Sequence, residues 1–363
     1  MTPRRFQVRP IVLVCLALLA GCNRKPPQFV PRSSDSTATT AADDSFAVLV
    51  GATLDRWESG AGPEAATATA RLLLSDLGRH PDLPLGARAR TLLDSCGFSA
   101  EVSGSGPVVA VNLFSRSDPS GGAWPHLLWR DPRGVHEQAL DGSGMRLVDV
   151  ATRPDVTPAV RKEDQDEGSQ VALLLTRTGS RGQQPVVIVW RRPAGGKSWA
   201  LTQTLGPDSL GGVGSAQFVV RPDGEELEAK TYRVTSGFDE CATCPHVFHT
   251  IRFAWTSGGF ARRGEETTTS PYATFVQLIA ALRVDDREMA LRQLADPQLL
   301  DTAQRYEWGK AAAGTWRVAP GTEEATGDMV FFRGPREAYR VRFVPRGGQW
   351  LVSDLQPVQR SIE

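Results

Sequence analysis

This chain of 363 residues is poor in the residues that most recognisable enzyme chemistry uses. Histidine occurs five times, at His80, His126, His136, His246 and His249, and none stands in the His-x-x-x-His or His-Glu-x-x-His spacing that puts two zinc ligands on one helix face. No Gly-x-Ser-x-Gly elbow is present, since Ser105 and Ser143 have glycines directly beside them instead. The stretch Gly195-Gly196-Lys197-Ser198 has Arg191 where a phosphate loop needs its first glycine, and it reads as a hairpin turn. Charge of either sign is not in excess: 41 basic residues balance 41 acidic ones. Nucleic acid needs a clustered basic face, so it is excluded as an expected partner. Nothing in these patterns calls for a cofactor.

Long hydrophobic runs are also lacking. Ile11 to Ala20 is apolar for about ten residues, half of what a membrane-spanning helix needs. It follows Arg4, Arg5 and Arg9 and ends in Leu19-Ala20-Gly21-Cys22, so residues 1–21 read as a cleaved leader. That ending resembles a bacterial lipobox. The resemblance implies cleavage before Cys22, diacylglycerol on its thiol and an exported protein held to membrane lipid by two or three chains. Asn23 follows the lipid cysteine where Asp would imply retention at the inner membrane. The resemblance therefore implies the outer membrane, facing the periplasm, in an organism that has one. Without the leader, 38 basic residues face 41 acidic ones.

The rest of the chain reads as a multidomain α+β protein. Residues 22–44, rich in Pro, Ser, Thr, Ala and Asp, have almost nothing to bury and read as a disordered tether reaching ~25 Å. Residues 45–100 carry three helical stripes: Phe46 to Trp57, Ala66 to Leu77 and Leu85 to Cys96. Cys96 on the last stripe reads as a buried, inert thiol. Residues 101–265 change to short strands divided by turn signals such as Pro193 to Gly196 and Ser257-Gly258-Gly259. Ten strands without an intervening helix predict an antiparallel all-β domain, either a sandwich or a partial propeller. After the polar run at 265–270, residues 271–360 give helices and then four strands, closing on Gly347-Gly348-Gln349-Trp350-Leu351-Val352. That order resembles the cone-shaped domains of the nuclear-transport-factor-like superfamily, which curl a sheet round a helix, and it implies a small helix-plus-curved-sheet C-terminal domain.

One cluster gathers thiols and imidazoles: Cys241-Ala-Thr-Cys244-Pro-His246-Val-Phe-His249. Export removes the reducing cytosol, so Cys241 and Cys244 read as a disulfide closing a loop before a hairpin. A metal site on Cys241, Cys244, His246 and His249 is the weaker reading, because the spacing is tight and a strand from Val247 would send the two histidines to opposite faces. Redox activity of the thioredoxin kind would need a helix after the second cysteine, and strand-like sequence follows instead.

The expected role is non-catalytic binding or scaffolding at the cell envelope, with an envelope protein as partner. The competing reading is an envelope ligand-binding receptor or enzyme with its pocket near Tyr272, Trp308 and Asp328 in the C-terminal domain. The lipobox makes the first test direct. Cys22→Ala should abolish detergent-phase partitioning of the exported protein and leave the leader attached, as read by phase separation and N-terminal sequencing.

Overall fold

The computed structural model describes residues 40–359 except 105, 118–121, 143, 155–168, 223 and 311–314. The leader, Cys22 and the tether up to residue 39 lie outside the described residues. The chain separates into a unit of residues 1–48 and a unit of residues 49–363, and every described strand belongs to the second unit.

Three helices come first. Helix α1 (Thr40–Glu58) begins within the stretch read as tether, and α2 (Gly62–Arg79) and α3 (Leu85–Cys96) follow. Pro63 pre-sets the first turn of α2, and Gly97 ends α3 in the left-handed region at φ 78°. Ala65, Ala66, Ala70, Leu73 and Leu77 form the buried stripe of α2. Arg88 of α3 donates two hydrogen bonds of 2.6 Å to Asp76 of α2, a fork that fixes the two helices to each other. Cys96 is half-buried, on the last turn of α3.

Among the described residues, twelve strands then form three antiparallel meanders, each strand pairing with its neighbours in the chain. The first contains β1 (Ser99–Ser103), β2 (Val108–Phe114), β3 (Ala123–Asp131) and β4 (Gly134–Ala139). The second contains β5 (Arg146–Pro154), β6 (Ser169–Gly179), β7 (Gly182–Arg192) and β8 (Ala200–Leu205). After a single turn of helix, α4 (Pro207–Leu210), the third contains β9 (Val213–Arg221), β10 (Gly224–Tyr232), β11 (His249–Thr256) and β12 (Gly259–Thr267). Strands β1 and β4 are additional to the ten that the hydrophobic pattern predicts. Both are edge strands, and Ser-Ala-Glu-Val-Ser and Gly-Val-His-Glu-Gln-Ala carry too few apolar residues to signal a strand.

The second meander lies between the other two. Alternate residues of β6 and β7 divide between two cores: Val171, Leu173, Leu175, Val186, Ile188 and Trp190 pack with β2 and β3, while Ala172, Leu174, Val187 and Val189 pack with β10 and β11. A strand buried on both faces must be apolar at every position, which is why Val171 to Leu175 and Val186 to Trp190 read as unbroken runs. The two ends of the stack are finished differently. Helices α2 and α3 cover the first meander, and Gly86 of α3 comes so close that a Cβ there would stand 2.6 Å from the Gly104 carbonyl oxygen. The third meander ends in a ladder of charges, in which Arg252 lies 3.1 Å from Glu266 and 3.5 Å from Glu228, and Arg221 pairs with Glu226 and Glu228. The rim between the first two meanders is tied at Asp131, which accepts hydrogen bonds from His136 at 2.8 Å and from Arg133 and Arg192 at 3.2 Å. The His136 bond above all holds the Asp131 carboxyl well below the usual carboxylate range.

The C-terminal part begins with α5 (Pro271–Arg283), capped by Ser270, whose hydroxyl accepts the Ala273 N–H. Helices α6 (Arg287–Arg292) and α7 (Gln298–Arg305) precede a fourth antiparallel meander of β13 (Trp316–Val318), β14 (Asp328–Arg333), β15 (Glu337–Arg346) and β16 (Gln349–Pro357). Helix α5 lies on one face of this sheet, over a core of Phe275, Leu278, Ile279, Met329, Phe331 and Val341. The molecule is thus mixed α+β, dominated by four antiparallel four-stranded sheets.

Truncating the middle layer should cost far more than truncating an edge. Leu174→Ala is expected to destabilise by about 2–5 kcal/mol through lost burial and a residual cavity. Leu201→Ala on β8, half-exposed, should stay within about 0.5 kcal/mol of wild type, with urea unfolding as the measure.

Candidate functional site

The segment between β10 and β11, residues 233–248, is too long for a hairpin turn and crosses to the C-terminal sheet. Phe238 bridges to β13 in parallel: Trp316 N–H donates to the Gly237 carbonyl (3.0 Å) and Asp239 N–H to the Trp316 carbonyl (2.7 Å). Phe238 and Val247 enter the same core as α5, although both precede the sequence break at 265–270. Between them a polar network is buried. The Glu240 side chain is 1% exposed and takes a hydrogen bond from the Tyr272 hydroxyl (2.7 Å) and one from His246 Nδ1 (3.2 Å). A buried carboxylate is tolerated only with such donors around it. The His246 ring lies flat against Tyr232, centroids 3.6 Å apart, and its Nε2 is buried without a hydrogen bond.

The sequence-derived candidates are not brought to one place. Cys241 and Cys244 stand at disulfide distance, S–S 2.23 Å, closing a turn on the exposed side of this segment. His246 points into the network, whereas His249, at the start of β11, pairs with Glu265 at 2.9 Å. Tyr272 and Trp308 are both fully enclosed, and the rings of Phe275, Trp316, Phe331 and Tyr339 fill the space around them. Asp328 is on the other face of the sheet.

That other face forms an open groove of about 1180 Å³. Its floor is the outward side of β14 and β15, and its walls are the chain at 319–326 and the chain after β16 at 358–359. Val330 is paired with Arg340 across the strands, and Phe332 with Arg317 of β13, whose guanidinium stands 5.2 Å from the Phe332 ring centre. Arg340 and Arg342 reach Asp328 only at 3.5 and 3.7 Å, distances at which an exposed pair contributes little and can be exchanged for a partner's charge. A floor of Val330 and Phe332 within a charged border suits an amphipathic, extended ligand. A second hollow of about 270 Å³, lined by Leu54, Trp57, Phe98 and Phe114, falls below the usual range for a ligand site.

Two features of these sites escape the sequence reading. Glu240 carries no local signal, because only the fold buries it. The groove does leave a trace: β14 reads Asp-Met-Val-Phe-Phe-Arg, with Met329 and Phe331 inward and apolar Val330 and Phe332 facing out, where a half-exposed strand should be polar. Comparison with protein-family models, curated proteins and solved structures gives no match to this chain.

The buried phenols make the fold sensitive to alkali. Burial first, and then the bond to Glu240, raises the Tyr272 phenol far above its ordinary range; burial followed by the Glu240 charge raises Tyr232. Burial, then the bond to Glu337, pushes Tyr339 up to about 12. These groups keep their protons in the folded chain above the pH at which the unfolded chain releases them. Their contribution is therefore complete below a pH of about 10 and is lost as pH rises further. Urea midpoints should be level between pH 7 and 9 and fall by about pH 11, with a shallower fall in Tyr272→Phe.

Proposed function

We propose that this is a lipid-anchored cell-envelope protein with a non-catalytic binding role, exercised through the groove on the outer face of the C-terminal sheet. The leader and Cys22 supply the address, and the residues after Cys22 supply the reach. The observation that carries the binding role is the groove itself, which presents apolar side chains on a strand face that no described helix or sheet covers. Its ligand is an extended segment of an envelope protein, laid over Val330 and Phe332 with its charges against Arg317, Arg340 and Asp328. The three stacked meanders support reading the central domain as a partial propeller, a platform on which the C-terminal sheet is carried. Helices followed by a sheet support the cone-like resemblance, with binding moved from the filled interior to the outside.

Cross-linking in intact cells, followed by capture of the anchored protein, tests this. Val330→Asp places a charge on the groove floor without touching the core, so its thermal midpoint should stay within about 4 °C of wild type. The cross-linked adduct seen with wild type should be lost in Val330→Asp. An adduct that persists unchanged would move the binding surface elsewhere.

A further inference from the structure

We propose that Cys241 and Cys244 form a thiol–disulfide exchange site whose redox state controls the docking of residues 233–248 on the C-terminal sheet. The proposal rests on the geometry of this segment and is independent of what occupies the groove.

Three observations converge. The first is access: Cys241, Ala242 and Thr243 are exposed, so an incoming thiolate can reach a sulfur. The second is that the bond adds little to global stability. It spans a sequence separation of 3, so it constrains the turn locally, where the Cys244 N–H donates to the Cys241 carbonyl at 3.1 Å, and removes little entropy from the chain as a whole. The third is the position of its flanking residues. Glu240 immediately precedes the first cysteine and His246 comes two residues after the second, and these are two of the three partners in the buried network. By holding the two Cα atoms 5.0 Å apart, the disulfide keeps Glu240 and His246 in hydrogen-bond reach of one another.

The reductant is a dithiol, small or protein-borne. One of its thiolates attacks Cys241 Sγ, the Sγ–Sγ bond breaks, and Cys244 leaves as a thiolate and takes a proton. The second thiol of the reductant, deprotonated, then attacks the mixed disulfide, forming the reductant's own disulfide and releasing Cys241, which is protonated in turn. Two electrons and two protons pass to the protein. The freed turn then relaxes, Glu240 and His246 separate, and the segment undocks.

Coupling of this kind is reciprocal: if docking favours the disulfide, weakening the dock must favour the dithiol by the same factor. Full-length protein is equilibrated in dithiothreitol buffers of graded ratio, and the Cys241–Cys244 peptide is read by alkylation and mass spectrometry. Wild type should reduce reversibly without denaturant, and hydrogen exchange across 233–248 should quicken at least about tenfold on reduction while β6 and β7 stay protected. Tyr272→Phe should raise the equilibrium constant for reduction by about fivefold or more. Cysteines that resist reduction until the chain unfolds would overturn the proposal. An equilibrium unchanged in Tyr272→Phe, or reduction with no change in exchange at 233–248, would overturn it equally.

Discussion

Burial of one sheet on both faces is the constraint on which the rest of the central architecture depends. Strands β6 and β7 expose neither side to water along most of their length, so two further layers must exist to receive them. Each receiving layer then has a far side of its own. Helices α2 and α3 cover one, and alternating Arg and Glu side chains make the other compatible with water. The apolar stacking therefore stops after three meanders, since neither end offers a further apolar face to a fourth.

The C-terminal sheet solves the same problem with a single covered face. Helix α5 and the rings of Phe275, Phe331, Trp308 and Trp316 pack together on its inner side. Each edge strand makes one isolated bridge as well: Trp316 of β13 with Phe238, and Val352 of β16 with Leu294. What this sheet can offer to another molecule is its outer face, and there the groove lies.

The segment at 233–248 binds the two halves of the molecule chemically as well as sterically. It brings the Glu240 carboxyl group to the Tyr272 hydroxyl and the His246 imidazole, which donate to it. Removing either donor would leave a buried carboxyl oxygen without its hydrogen bond, a larger loss than the bond itself. The same segment carries Cys241 and Cys244, at disulfide distance, on its exposed side, next to a polar contact that solvent does not reach.

Taken alone, the sequence determined the elements whose pattern is local. The buried runs of β6 and β7, the stripes of α2 and α3, and the turns at Pro193, Ser257 and Arg346 are legible because burial of a regular element repeats every two or every 3.6 residues. Residues 1–22 read as a leader and lipid cysteine for a different reason, their resemblance being to a linear signal. Strands β1 and β4 were not legible, because an edge strand is held by backbone pairing and needs few apolar side chains. Nor could sequence decide that Tyr272 and Trp308 are enclosed while Asp328 faces out, since alternation assigns residues to two faces without saying which face is covered. Glu240 illustrates the limit most plainly: an acid in a polar loop looks solvated until a helix far along the chain brings Tyr272 over it. Tertiary structure decided the groove, the dock and the network, because each depends on surfaces from distant parts of the chain meeting, and local periodicity does not encode which surfaces meet.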